Sequence, residues 1–422
     1  MEHGKPDPRK DLTRAATVAL LDAVLGDGEM LAQLTGEAGP LATLSGPERA
    51  RAQRLALAVL RAVEPADRVL APFLRKAPPL TVMNILRLAV VELASGTAPH
   101  GVVNACVGLA RAGKKTQHQA GLINAVLRQV PPGALSGPAQ RMPRWLRQPL
   151  VHAWGREAVT AMEVVQAAPA PVDLTLRAGF PHPEGLTLPT GSLRLSEAGQ
   201  VSALPGYERG GWWVQDAAAA LAVPLLGDVA GKRVLDLCAA PGGKTLQLAA
   251  VGAEVTALDI SEARLARLHE NLARTGLTAQ VVAADGLTWQ PDAPFDAILL
   301  DAPCSATGTI RRHPDLPFVK DGSEVAGLVD LQARLIDRAL GWLKPGGRLV
   351  YVTCSLLPEE GEGQLASALA RHTGLTVRRP DLAGIEPGWI TPEGGLRLRP
   401  DYWADRGGMD GFFMACLEKA DG

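Results

Sequence analysis

The stretch Arg233-Val-Leu-Asp-Leu-Cys-Ala-Ala-Pro-Gly-Gly-Lys-Thr245 decides the fold of this chain, because a short apolar run leads directly into a loop of small residues. Short apolar runs bounded by glycine and proline are typical of buried strands. Glycines and other small residues after a strand let the backbone approach a ligand closely. We therefore predict a strand at 233–237, followed by a ligand-binding turn.

Short apolar runs alternate with helical segments throughout residues 206–422. The predicted strands are Arg233–Leu237, Val255–Leu258, Ala279–Val282, Ala297–Leu300 and Leu349–Val352, and the predicted helices are Thr245–Val251, Ser261–Thr275 and Val325–Leu343. Alternation at this spacing predicts βαβ units and a parallel sheet covered on both faces. Ligands of such α/β folds bind outside the carboxyl ends of the strands.

The preceding part of the chain has a different pattern. Apolar residues recur at helical spacing from about 12 to 130, and a stretch rich in proline and glycine follows. Residues 141–205 are mixed, with a helix predicted from Trp145 to Gln166 and a strand from Val172 to Arg177. We predict a helical domain at 1–140, a small α+β connector at 141–205 and the α/β domain at 206–422.

Composition and charge limit the class of protein. The chain has 422 residues, of which 47% are hydrophobic, and it contains no apolar run long enough for a membrane span. We expect a cytoplasmic protein without a signal peptide. Residues 1–140 carry a net charge of +5 and the remainder carries −6. A basic amino-terminal region is compatible with a polyanionic partner, although ordinary solvated helix faces would give the same pattern.

The glycine-containing loop excludes two common cofactors. A phosphate-binding loop of the Walker type needs glycine six residues before its lysine, and that position holds Cys238. The Gly-x-Gly-x-x-Gly pattern of dinucleotide-binding proteins is absent. An acidic residue follows each of the next three predicted strands: Asp259, Asp285 and Asp301. A carboxylate after the second strand is suited to ribose hydroxyls, whereas any single one of these residues could be a turn cap.

Five cysteines are present, and no pair has the two-residue spacing of a metal or redox motif, so no metal site is expected. Cys304 follows the fourth predicted strand and Cys354 follows the fifth, so both thiols should lie at the same edge of the sheet. Cys106, Cys238 and Cys416 are more typical of packing residues. A disulfide between Cys304 and Cys354 is disfavoured in a reducing compartment.

Four motifs carry a resemblance to a known family. They are Asp-Leu-Cys-Ala-Ala-Pro-Gly-Gly-Lys (236–244), Asp-Ala-Pro-Cys-Ser-Ala-Thr-Gly (301–308), Arg-Arg-His-Pro-Asp (311–315) and Thr-Cys-Ser (353–355) followed by Glu359-Glu360. Together they resemble the RsmB (Fmu/Sun) family of 16S ribosomal RNA (cytosine-5)-methyltransferases. The resemblance implies a Rossmann-like domain that uses S-adenosylmethionine, with Cys354 as the nucleophile and Cys304 as the group that assists product release. DNA cytosine methyltransferases use the Pro-Cys cysteine as the nucleophile, so the two roles could be exchanged.

The resemblance also implies the remaining site residues. Asp301 is expected to hydrogen-bond the base edge during catalysis, and the cofactor contacts map to Cys238, Ala239, Ala240, Pro241, Gly242, Gly243, Lys244, Asp259, Asp285 and Asp301. A nucleophilic sulfur must be a thiolate, and Lys244, Arg311 and Arg312 are candidates for the positive charge that stabilises it. Arg311, Arg312 and His313 could instead hold RNA phosphates or form a solvated loop.

The amino-terminal segments Ile85–Leu93, Val102–Val107 and Gly121–Arg128 are similar to a NusB-type helical RNA-binding domain. The implied partner is 16S ribosomal RNA, free or in an incompletely assembled small subunit, and we expect the protein to be a monomer. Three alternatives stay open: methylation of transfer RNA or another ribosomal site, a non-catalytic RNA-binding factor, and a NAD-linked oxidoreductase. Binding of S-adenosylmethionine would exclude the last two.

Overall fold

A computed structural model describes residues 11–36, 39–131, 133–196 and 199–421. The helices are α1 (Leu12–Asp22), α2 (Leu31–Leu34), α3 (Gly46–Leu60), α4 (Val63–Leu70), α5 (Leu80–Ala94), α6 (Pro99–Ala112), α7 (Ala120–Leu127), α8 (Arg144–Ala167), α9 (Gly243–Ala250), α10 (Glu262–Thr275), α11 (Leu316–Val319), α12 (Val325–Trp342) and α13 (Glu362–Arg371). The strands are β1 (Val172–Leu176), β2 (Leu186–Thr187), β3 (Leu193–Leu195), β4 (Trp212–Val214), β5 (Arg233–Leu237), β6 (Glu254–Asp259), β7 (Gln280–Ala283), β8 (Phe295–Asp301), β9 (Leu343–Thr353), β10 (Leu375–Arg378), β11 (Leu396–Leu398) and β12 (Phe412–Lys419).

The described residues form two compact units. The helical unit contains the chain as far as Val151 together with Gly155–Pro169 and Ile310–Asp321, and the sheet unit contains the rest. Helix α8 is interrupted at Gly155, whose φ of 82° is not helical. The two compact units do not show which parts of the chain fold independently. The domain boundaries predicted at 140 and 205 therefore stay predictions.

Buried aliphatic side chains hold the helical unit together. Helix α5 is mostly apolar, and most of its length is buried among α1, α3, α6 and α7. Arg14 and Glu92 form an ion pair inside this core, with Nε and Oε2 2.6 Å apart, so each buried charge is compensated. Helix α3 begins at a capping box in which Ser45 and Glu48 satisfy each other's backbone N–H groups.

The main sheet of the sheet unit has the order β10-β12-β9-β8-β5-β6-β7, with β11 paired to β12. Strands β7, β6, β5, β8 and β9 are parallel neighbours, which confirms the five predicted strands and the α/β fold class. The sheet is not wholly parallel as predicted, because β12 runs antiparallel between β9 and β10. An antiparallel strand of this kind is not part of a βαβ unit, so the βαβ spacing of the sequence does not predict it.

Both faces of this sheet are buried. Along β5, β8 and β9, successive residues belong alternately to two different hydrophobic clusters, as Val234 and Leu235 do. One cluster contains Leu335 and Ile336 of α12. The carboxyl ends of β8 and β9 are adjacent, because Asp301 pairs with Val352, and this register brings the residues after both strands to the same edge.

A second, four-stranded sheet of order β2-β3-β1-β4 belongs to the predicted connector and its boundary. Asp173 on β1 and Arg194 on β3 form a buried ion pair, with Oδ2 and Nη2 2.6 Å apart. Trp212 on β4 is fully buried in the core of this sheet. The predicted strand at 172–177 is confirmed as β1.

Candidate active site

The glycine-containing loop connects β5 to α9. Cys238 and Gly242 have φ angles of 65° and 107°, so the chain turns twice through the left-handed region within five residues. A Cβ atom on Gly242 would lie 2.4 Å from Cδ1 of Leu268, which leaves space only for glycine. The backbone N–H groups in the first turn of α9 have no intrahelical partners. The loop therefore offers hydrogen-bond donors and a close approach to its backbone.

Asp259 is placed at the end of β6, next to this loop. Its Oδ2 accepts the N–H of Ala240 at 3.0 Å, and its Oδ1 accepts the N–H of Ser261 at 2.9 Å. A carboxylate has about four lone-pair positions, so Asp259 can still accept hydrogen bonds from a ligand. The Asp259 side chain therefore fixes the position of the loop and can still accept further hydrogen bonds.

Asp285 follows β7, and its Oδ1 accepts the N–H of Leu287 at 2.9 Å. This contact is the turn cap that the sequence left open as an alternative. One carboxylate oxygen of Asp285 is used in this way, and a ligand contact through the other stays a prediction.

Asp301 at the end of β8 forms an ion pair with Lys244 of the loop, with Oδ2 and Nζ 2.7 Å apart. Burial opposes the charged form of Lys244, but the negative charges, chiefly that of Asp301, outweigh it and raise the pKa of this lysine. Lys244 thus stays protonated, and its positive charge also acts on Cys354. The ion pair joins the cofactor loop to the strand end that precedes Cys304.

The two predicted cysteines lie side by side. Sγ of Cys304 and Sγ of Cys354 are 3.4 Å apart, a hydrogen-bond distance for sulfur, and both are free thiols. The hydrogen bond to Cys354, together with burial, raises the pKa of Cys304 well above its ordinary value. Cys304 therefore keeps its proton at neutral pH and can act as the donor to the sulfur of Cys354.

The other three cysteines are packing residues, as the sequence favoured. Burial raises the pKa of Cys106 to about 12 and that of Cys416 to about 11, and it also raises the pKa of Cys238. A buried thiol with a raised pKa is a poor source of thiolate.

Comparison with known proteins agrees with this geometry. The family model described as 16S rRNA methyltransferase RsmB/F matches residues 223–418, and the NusB family model matches residues 12–131. Ribosomal RNA small subunit methyltransferase B of Sodalis glossinidius is 37% identical in an alignment that covers 94% of this chain and 95% of that protein. The corresponding protein of Klebsiella pneumoniae is 36% identical and covers 82% and 89%.

This chain belongs to the ribosomal RNA small subunit methyltransferase B family. The crystal structure of PH0851 shares the fold, with a TM-score of 0.71 at 21% identity over 96% of this chain and 99% of that one. The family and its fold confirm the predicted resemblance, the NusB-like helical part and the Rossmann-like methyltransferase part.

A methyltransferase of this family uses S-adenosylmethionine, as predicted. The residues present fit this cofactor. The left-handed turn at Gly242 lets a ligand approach the backbone, and the carboxylate of Asp259 can accept ribose hydroxyl groups. Within the described ranges, no group of three or more His, Cys, Asp or Glu side chains is arranged to hold a metal ion, and no helix is long and apolar enough to cross a membrane.

The remaining candidate residues of this RsmB-family protein lie in different parts of the structure. Arg311 and Arg312 lie in the segment that clusters with the helical unit, where Arg61 donates to the carbonyl of Arg311 at 2.9 Å. Arg311 is fully buried, so it is not part of a solvated loop. Trp212 and Trp213 are both buried.

Sequence reasoning missed the role of one residue at this site. Glu360 is fully buried beside the two cysteine loops, and its carboxylate accepts hydrogen bonds from Ser305 and Ser355. These serines directly follow Cys304 and Cys354. The motif containing Glu360 was recognised, but no property of the sequence distinguished it from its exposed neighbour Glu359.

Proposed function

We propose that this protein transfers a methyl group to carbon 5 of a cytosine in 16S ribosomal RNA, through a covalent bond between Cys354 and the base. The observation that carries the proposal is the 3.4 Å contact between the sulfurs of Cys304 and Cys354, at adjacent strand ends next to the Lys244–Asp301 ion pair. The 16S ribosomal RNA substrate is inferred from the family model and from the names of the relatives.

The chemistry of cytosine explains why a thiol is needed. Carbon 5 is a weak nucleophile, and addition of the Cys354 thiolate to carbon 6 makes it enamine-like. S-adenosylmethionine supplies the methyl group as an electrophilic sulfonium. Loss of the proton from carbon 5 then expels the Cys354 sulfur and restores the aromatic ring.

The raised pKa of Cys304 supports this division of roles between the two thiols. Because Cys304 keeps its proton, it is suited to donate a hydrogen bond or a proton to the sulfur of Cys354 as that sulfur leaves carbon 6. Lys244 supplies a positive charge to the site, and Asp301 is held by Lys244 at the strand end, where its remaining lone pairs can accept hydrogen bonds from the base edge.

Single cysteine variants test the proposal. Cys354→Ala should abolish methyl transfer to 16S ribosomal RNA while calorimetry detects unchanged binding of S-adenosylmethionine. Cys304→Ala should retain bond formation and accumulate a covalent protein–RNA adduct on denaturing gels. Cys106→Ala is the matched control, since it removes a buried thiol of the helical unit and should keep full activity. If instead the Cys304 variant is inactive and the Cys354 variant accumulates the adduct, then Cys304 is the nucleophile and Cys354 assists release.

A further inference from the structure

Glu360 lies in the turn Pro358–Glu360, which follows β9 and Cys354. Its carboxylate accepts four hydrogen bonds from described residues. Oε1 accepts the N–H of Ser305 at 2.9 Å and the Nε2 of Gln332 at 3.0 Å, and Oε2 accepts the hydroxyls of Ser305 and Ser355, each at 2.5 Å. This one buried carboxylate therefore binds the residues that directly follow both cysteines.

Further hydrogen bonds fix the two loops to each other at the same place. The N–H of Gly308 donates to the carbonyl of Cys354 at 2.9 Å, and Gln332 also donates to the carbonyl of Pro303 at 2.8 Å. A Cβ on Gly308 would lie 1.9 Å from the carbonyl oxygen of Gly411, so the two backbone segments are in close contact at this point. Residues on both sides of Cys304 are thus anchored relative to Cys354.

The backbone carbonyl of Glu360 is anchored as well. The hydroxyl of Tyr351 donates to it at 2.7 Å, and that of Thr353 donates at 3.1 Å. Both donors lie on β9, the strand that ends at Cys354. The carboxylate is consequently held at a fixed position with respect to the sheet.

The pattern favours a carboxylate over an amide. The hydroxyl of Ser355 accepts the N–H of Leu357 at 2.9 Å, which leaves its proton for Glu360. The Ser305 and Ser355 oxygens also lie 3.1 Å apart, and either hydroxyl could donate to the other. A glutamine has one acceptor oxygen, and it would have to donate to hydroxyls that now donate. The serine hydroxyls would then have to reorient.

We propose that Glu360 is a positioning residue that fixes the distance between the sulfurs of Cys304 and Cys354. The inference rests on the proposed function for its consequence: the sulfur of Cys354 can add to carbon 6 of the cytosine, and can receive a proton from Cys304 as it leaves, only if the two loops keep their spacing. Displacement of a reacting group by about 1 Å can lower a rate about a hundredfold. Glu360 acts through the two serines and does not itself touch the base.

Phenylarsine oxide measures the sulfur spacing directly, without RNA or cofactor. The reagent condenses with two neighbouring thiols to form two As–S bonds and one water, and no oxidation occurs. Wild-type protein should bind one equivalent of phenylarsine oxide tightly. The Cys304→Ala variant, which lacks one of the two thiols, should give the background level of binding. Glu360→Gln should weaken the binding at least about tenfold, whereas Glu359→Gln, the same change at the exposed neighbour, should leave it unchanged. Unchanged arsenical affinity in Glu360→Gln would overturn the proposal.

Kinetics supply the second measurement. Glu360→Gln should lower kcat about a hundredfold while the affinity for S-adenosylmethionine stays the same. If Glu360→Gln fails to fold, Ser355→Ala removes one of the four donors and should weaken arsenical binding in the same direction, and no change there would also contradict the proposal. A fall in arsenical affinity together with an active Cys354→Ala variant would instead overturn the proposed function and leave the positioning role intact.

Discussion

At the scale of single residues, Asp236 illustrates how burial controls a charge next to the cofactor loop. Asp236 lies on β5 and is fully buried. Burial raises its pKa from 3.8 to about 7, although a hydrogen bond from Thr245 favours the charged form. Since the folded-state pKa lies above the unfolded one, the contribution of Asp236 to stability is present below pH 3.8 and is lost as the pH rises to about 7.

Asp236→Asn should remove this part of the pH dependence. The free energy of unfolding of the wild type, relative to that of the variant, should be smaller at about pH 8 than at about pH 5. Urea unfolding at both pH values measures the difference. An equal difference at the two pH values would mean that Asp236 is charged throughout.

Gly242→Ala should weaken binding of S-adenosylmethionine. The φ of 107° costs about 1–3 kcal/mol for a residue with a side chain, and the added methyl group would contact Leu268, so the loop must shift. Gly231→Ala is the matched control, because Gly231 also has a positive φ of 67° but has no atom within 4 Å of the added Cβ. Calorimetry should find normal cofactor affinity in the control, and normal affinity in both variants would contradict the assignment of the loop.

The positions of the two cysteines were predictable at this scale, whereas the role of Glu360 was not. Cys304 and Cys354 each follow an apolar strand, so the parallel sheet alone places them at one edge. Glu360 lies several residues beyond the end of β9 and beside another glutamate. Its burial depends on the approach of Ser305 from a distant part of the chain, and no local pattern encodes that approach.

At the scale of elements, strand β12 was the main feature that the sequence did not predict. The predicted parallel strands were correct to within a few residues, because each is an apolar run followed by a turn. β12 is also apolar, but it is inserted antiparallel between β9 and β10, and its partners are chosen by tertiary contacts. Its Phe413 is fully buried and packs against Arg397, which donates to the carbonyl of Ser355 at 2.6 Å.

Phe413→Ala should therefore lower both stability and activity. Truncation of a buried phenylalanine costs about 3–5 kcal/mol, and here it also removes the ring that supports Arg397 beside the cysteine loop. Denaturant unfolding measures the loss of stability. Val377→Ala on β10 is the control, since Val377 is only partly buried and the change should cost far less. A similar cost for both variants would argue against β12 as a central strand.

At the scale of the whole molecule, the uneven charge predicts how the protein responds to salt. The end of α6 carries Arg111, and the turn that follows it carries Lys114 and Lys115; all three are exposed. If these residues contact RNA phosphates, replacing all three by glutamine should reduce the slope of log affinity against log salt concentration by about two to three. Filter binding at several salt concentrations measures this slope, and kcat at saturating RNA should not change. An unaltered slope would place the RNA contacts elsewhere.

The most direct measurement of the central claim is the attachment site of a trapped covalent adduct. In 16S ribosomal RNA transcribed with 5-fluorocytidine, carbon 5 has no proton to lose, so the sulfur cannot leave after methyl transfer. Arg311 and Arg348 place Cys304 and Cys354 in different tryptic peptides, which mass spectrometry distinguishes after nuclease treatment. We predict that the nucleotide is attached to the peptide containing Cys354. Attachment to the peptide containing Cys304, or methylation without any adduct, would contradict the account.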